Sequence, residues 1–131
     1  MLRRYSDMIL LPSFKERLDY LMLLDGNVKS PRKNAMAFYQ GKTWKQVRKE
    51  IIFRDLTFDL GVEGVDILDK VLVHHINPIT DEDILNESRK LYDPENLVTV
   101  SLNTHNIIHY GNKEYEYVER QPGDISPIRR Y

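Results

Sequence analysis

The chain has 131 residues, 41% of them apolar, with four histidines and no cysteine; that suits one domain with a modest core and excludes disulfides and thiolate-bound zinc. No stretch approaches the roughly 20 apolar residues of a membrane span. The basic N-terminus is interrupted by Asp7, Lys15, Glu16, Arg17 and Asp19 and lacks a small-residue cleavage site, so a signal peptide is not expected. The net charge of −1 hides a split: residues 1–54 hold 12 Lys/Arg against 5 Asp/Glu (+7), and residues 55–131 hold 7 against 15 (−8). A basic half suggests a polyanionic partner, and an acidic, histidine-bearing half suggests a cation site.

In chain order, Ser13 and Glu16 have the spacing of a capping box, and Phe14, Leu18, Leu21 and Met22 recur near helical period, which predicts a helix over 14–24 stopped by Gly26 and Asn27. A polar linker containing Pro31 follows. A helical turn at 35–40 is closed by Gly41. Residues 43–55 give the clearest helix: Thr43 and Gln46 form a second capping-box pattern, and Trp44, Val47, Ile51 and Ile52 make an apolar face. Lys45, Arg48 and Lys49 project elsewhere, flanked by Lys42 and Arg54, a face able to track phosphates.

Residues 56–66 read as a loop or hairpin around two glycines, and 69–76 as a β-branched strand. A polar loop follows, with a helical turn around 84–89 and an acidic run at Asp81, Glu82 and Asp83 that reads as solvated. Residues 97–101 form a second strand, and 104–110 a short helix capped by Asn103 or Thr104 and stopped by Gly111. The tail after residue 115 is rich in turn formers and reads as loosely ordered. Tyr5, Tyr20, Tyr39, Trp44 and Phe53 are read as core rather than as stacking platforms for bases.

The four histidines fall in two short segments. His105 and His109 are spaced i, i+4, which on a helix turns both imidazoles to one face within reach of one ion. His74 and His75 add a third possible ligand and leave one histidine over. Three neutral imidazoles leave coordination positions open for water and substrate, as catalytic sites do. Successive strand residues point to opposite faces, so the pair divides its labour: one binds the ion and its neighbour serves water or substrate.

The succession "VLVHHINPI", "DPENLVTVS" and "NTHNIIHYG" resembles the HNH endonuclease family, and "FYQGKTWKQVRKEIIFRDLTFDLG" resembles its small phage and prophage members. The resemblance implies an α+β fold: a basic helical region over 1–54, a ββα-metal (His-Me finger) motif over 55–115, and a tail over 116–131, all in one domain. It implies one divalent ion (magnesium, manganese, zinc or nickel) held by His74, His105 and His109. His75 would be the general base, and Asn96 would hydrogen-bond across the loop to fix the strand end. Lys42, Lys45, Arg48, Lys49 and Arg54 would grip double-stranded DNA, with Arg54, Arg89 and Lys113 as candidates for the cation at the scissile phosphate. A phage-encoded protein in the bacterial cytoplasm, working with a terminase or other packaging protein, is the setting the resemblance implies. Many family members brace the motif with a zinc bound by two pairs of cysteines; here the corresponding places read "RDLT" and "SLNT". The rival readings are a non-catalytic, zinc-stabilised DNA-binding or packaging accessory protein, in which four histidines close a tetrahedral site, and an RNA-cleaving enzyme built on the same motif.

Overall fold

A computed structural model describes residues 3–22 and 34–110. The fold is α+β, with six α-helices and a two-stranded antiparallel sheet among the described residues. Helices α1 (Tyr5–Met8), α2 (Phe14–Met22), α3 (Ala35–Gln40) and α4 (Lys42–Asp55) precede strand β1 (Val71–His75); α5 (Asp81–Leu85) lies in the connection to β2 (Leu97–Ser101), which runs directly into α6 (Leu102–Tyr110). No described helix is long and apolar enough to cross a membrane. The ends expected at 23–24 and at Gly111, and the tail over 116–131, lie outside the described residues.

The sheet register pairs Leu72 with Val100, His74 with Val98 and His75 with Leu97. Alternation along each strand then separates two cores. On one face Ile76, Val98 and Val100 pack with Phe14, Leu18 and Leu21 of α2 and with Ile107 and Ile108 of α6. On the other, Leu97 packs with Trp44 and Ile51 of α4, Phe38 of α3, Ile79 and Leu91, with Val73 partly buried against them. Burying each such side chain contributes about 1.5–3 kcal/mol.

Caps account for most departures from the sequence-based expectations. Ser13 Oγ accepts from Glu16 N at 3.1 Å, as the capping box predicts for α2. The Thr43–Gln46 box is not formed: α4 begins one residue earlier, after Gly41, without a side-chain cap. Its last turn ends in left-handed Leu56, at φ 55°. The expected turn at 84–89 forms earlier, as α5, because Thr80 and Asp83 make a reciprocal capping box; Asp81, Glu82 and Asp83 are thus the first turn of a helix, where carboxylates oppose the helix dipole favourably. Helix α6 is capped by neither Asn103 nor Thr104. Ser101 Oγ accepts from Thr104 N at 3.1 Å, so strand passes into helix without a loop. Of the aromatics read as core, Trp44 is buried, but Phe53 is 80% exposed and Tyr39 40%.

Three polar clamps replace what larger cores supply by packing. The buried Arg3 guanidinium donates to the carbonyls of Tyr20 and Leu21, satisfying the end of α2, and to that of Ile76 just beyond β1. Arg17 donates to the carbonyls of Ile9, Leu11 and Leu60. Asp55 accepts from Thr99 N at 2.9 Å and Tyr5 Oη at 3.0 Å, while Asp59 accepts from Ser101 N at 3.1 Å and Thr104 Oγ1 at 2.8 Å. The Asp59 bonds tie the segment after α4 to the β2–α6 junction, the second of the two places where the resemblance would put cysteines; the first contains Asp55.

Candidate metal centre

His74, His105 and His109 come together. One imidazole nitrogen from each lies within 4.8 Å of the other two, and the ring centroids are 4.3–5.9 Å apart. The sequence builds this locally. Position 74 faces α6 because its register partner Val98 does, and Ser101 starts α6 in the phase that turns both of its histidines back over β1. Bonds of about 2.0–2.1 Å to one ion would bring the nitrogens somewhat closer, within reach of small side-chain rotations.

The electrostatics suit a cation. Burial pushes the His74 imidazole well below its usual range, helped by the neighbouring histidines and Arg3. Burial, then His109, lowers His105 to about 4, and partial desolvation lowers His109 at the outer rim. All three are therefore neutral at pH 7, with lone pairs free of proton competition. His105 Nδ1 is buried and has no hydrogen-bond partner, which is costly unless something coordinates it. Three neutral imidazoles and an orphaned buried nitrogen fit a divalent ion.

His75 does not join them. It is 7% exposed on the opposite face of the sheet, stacked on Trp44 at 5.1 Å between centroids and 23° between planes, with Phe38 and Tyr39 also in contact. Its Nε2 lies 3.0 Å from the Leu91 carbonyl oxygen. That oxygen can only accept, so Nε2 carries the proton and Nδ1 is the basic nitrogen. Burial lowers its pKa to about 4, against a smaller upward pull from the Leu91 bond. A closed four-histidine site is therefore not assembled, and the ring does not face an open cleft.

Asn96 is fully buried and uses its whole amide. Its Oδ1 accepts from Asn77 N at 2.7 Å and Asn77 Nδ2 at 2.8 Å, and its Nδ2 donates to the carbonyls of Asn77 and Lys90. Ile76 N donates to the Asn96 carbonyl at 2.7 Å. Together these bonds lock the end of β1, next to both histidines, to the loop before β2. Asn77, which also donates to the Arg3 carbonyl, was missed by sequence reasoning; the "Asn-Pro" closing the strand was its only signal.

The cations are sorted by the fold. Arg54 is committed internally: its guanidinium bonds Asp55 and the carbonyls of Pro94 and Leu97, and lies 3.4 Å over the Tyr5 ring. Its guanidinium is thus engaged within the protein and does not line the groove with the histidines. Lys42 is exposed at the start of α4 and Arg89 is exposed after α5, but neither lines a groove with the histidines. Lys113 lies outside the described residues. Lys45, Arg48 and Lys49 line a groove of about 840 Å³ together with Lys70, Tyr39 and His105. Comparison with known protein families, with curated proteins and with solved structures gives no match for this chain.

Proposed function

We propose that the protein is a metal-dependent endonuclease of the HNH type that hydrolyses DNA phosphodiester bonds. The observation that carries this reading is the convergence of His74, His105 and His109, from a strand and a helix, into one neutral, partly open cluster. Those three residues would hold the ion. When bound, a divalent cation neutralises charge developing on the phosphate and lowers the pKa of coordinated water. The resemblance gives His75 the role of base, and the Leu91 carbonyl leaves its Nδ1 the basic nitrogen. Because the ring packs in the aromatic box on the face away from the cluster, this role requires it to turn out of that box towards water at the ion. The Asn96–Asn77 lock holds the strand end that carries both histidines. The groove supports the assignment because its lining joins His105, from the cluster, to Tyr39 and Trp44, which touch His75. The terminase partner and phage setting belong to the same proposal and rest on the resemblance alone.

The three-to-one division of the histidines disfavours the accessory-protein reading, since a structural zinc site closes with four ligands. The test is supercoiled plasmid and single-stranded circular DNA, each incubated with magnesium, manganese, nickel or zinc, followed by EDTA. Nicking that appears with an ion, stops with chelator and is lost in His105→Ala supports the reading. No ion-dependent cleavage, or wild-type rates in both His105→Ala and His75→Ala, sinks it. Faster cleavage of structured RNA than of plasmid would transfer the activity to RNA.

A further inference from the structure

We infer that the groove along the outer edge of β1 binds a single DNA strand, so that the substrate is an unpaired segment and not intact duplex; this rests on the nuclease reading for its purpose, though not for its geometry. The groove is floored by Val71, Leu72 and Val73 and lined by Lys45, Arg48 and Lys49 of α4, Lys70 before β1, and His105 of α6. Four cations from two separate elements, with no carboxylate in the lining, call for a polyanion. Lys45 and Lys49 sit one helical turn apart, about 6 Å along the axis, a spacing suited to neighbouring phosphates on one strand.

Two features select a strand over a duplex. The volume of about 840 Å³ lies in the range of roughly 300–1,000 Å³ typical of small-ligand clefts, room for a few nucleotides and too little for a double helix. The apolar floor and the partly exposed Tyr39, whose ring is braced by Phe38 and Trp44, offer apolar and stacking contacts that only unpaired bases can use, since a duplex hides its base faces. A cationic groove tracking the backbone beside an aromatic platform is the general solution for single-strand binding. A β-strand peptide is the alternative guest for a sheet edge, but Arg48 already donates to the Val71 carbonyl at 2.8 Å, which obstructs pairing along that edge.

The experiment is fluorescence anisotropy in EDTA with the full chain and labelled 12-mers: oligo-dT, oligo-U and a mixed-sequence duplex. The expected result is oligo-dT bound at least tenfold more tightly than duplex. Lys45→Glu and Lys70→Glu should each weaken binding by tenfold or more, and neutral Lys→Gln variants should each lower the salt slope by about one. Tyr39→Ala should lose about tenfold and Tyr39→Phe nothing. Melting temperatures will show that the exposed lysine variants remain folded. Duplex binding equal to or tighter than oligo-dT, or unchanged affinity in both charge reversals, overturns the inference. Oligo-U tenfold tighter than oligo-dT overturns the DNA assignment. If neither plasmid nor single-stranded circular DNA is cut with any ion but these binding results hold, the nuclease reading fails and the groove stands; if ion-dependent cutting occurs while the variants bind normally, the groove alone fails.

Discussion

His74 and His75 are adjacent in sequence, yet they inhabit two chemically different sides of one sheet. The α6 side is a histidine cluster with an orphaned nitrogen; the α4 side is an aromatic box in which the imidazole already has a hydrogen-bond acceptor. A single step along a strand therefore turns identical side chains into a proposed ligand and a proposed base. Residue type alone could not assign those roles; the pleat assigns them, and the helix packed on each face supplies the chemistry.

The contrast can be broken one side at a time. The largest effect is expected from His75→Ala. Turnover should fall by about 10²–10⁴-fold, with ion affinity measured by calorimetry unchanged; a loss of ion binding would mean that the two sides are not separate. Trp44→Ala, emptying the box behind His75, should cost about 3–5 kcal/mol in urea unfolding and leave ion affinity of the folded protein within a few-fold of wild type. His105→Ala should weaken ion binding by about 100-fold or more, since even residues supporting a ligand are worth about 10–100-fold. Its unfolding midpoint without metal should not fall, because no hydrogen bond to Nδ1 is lost.

The last contrast is in pH. His75 and His105 titrate near 4 in the folded chain, and burial also holds His74 and His109 below their usual range. Unfolded imidazoles titrate near 6.5, so below about that value the unfolded chain binds more protons. Their stabilisation is therefore complete above about pH 6.5 and is lost as pH falls towards 4, at about 1.4 kcal/mol per pH unit for each group. Metal-free protein should show this slope in urea titrations at pH 7, 6 and 5, and His75→Ala should remove only one group's share. A flat profile would show that the rings are already hydrated.

Much of this was legible in the sequence. The β-branched, apolar character of 69–76 and 97–101 and the i, i+4 spacing of His105 and His109 located the sheet, the final helix and the cluster. What escaped was decided by side chains acting at long range. Arg54 reads as a surface cation because nothing nearby in sequence announces Tyr5 and the Pro94 and Leu97 carbonyls as its partners. Lys70 and Tyr39 belong to the groove only because α4 is laid beside β1, a placement that periodicity does not encode. The Thr43 box failed because Gly41 could start the helix first, and local capping rules do not rank such competitors.

The Asp55 and Asp59 ties to Thr99, Ser101 and Thr104 carry a consequence for how the protein lives with metals. Because carboxylates staple the scaffold, removing an ion from the proposed centre with chelator should not melt the chain. Under the proposed function an ion could then be loaded, exchanged or withheld after folding is finished, and its scarcity would silence the protein without destroying it.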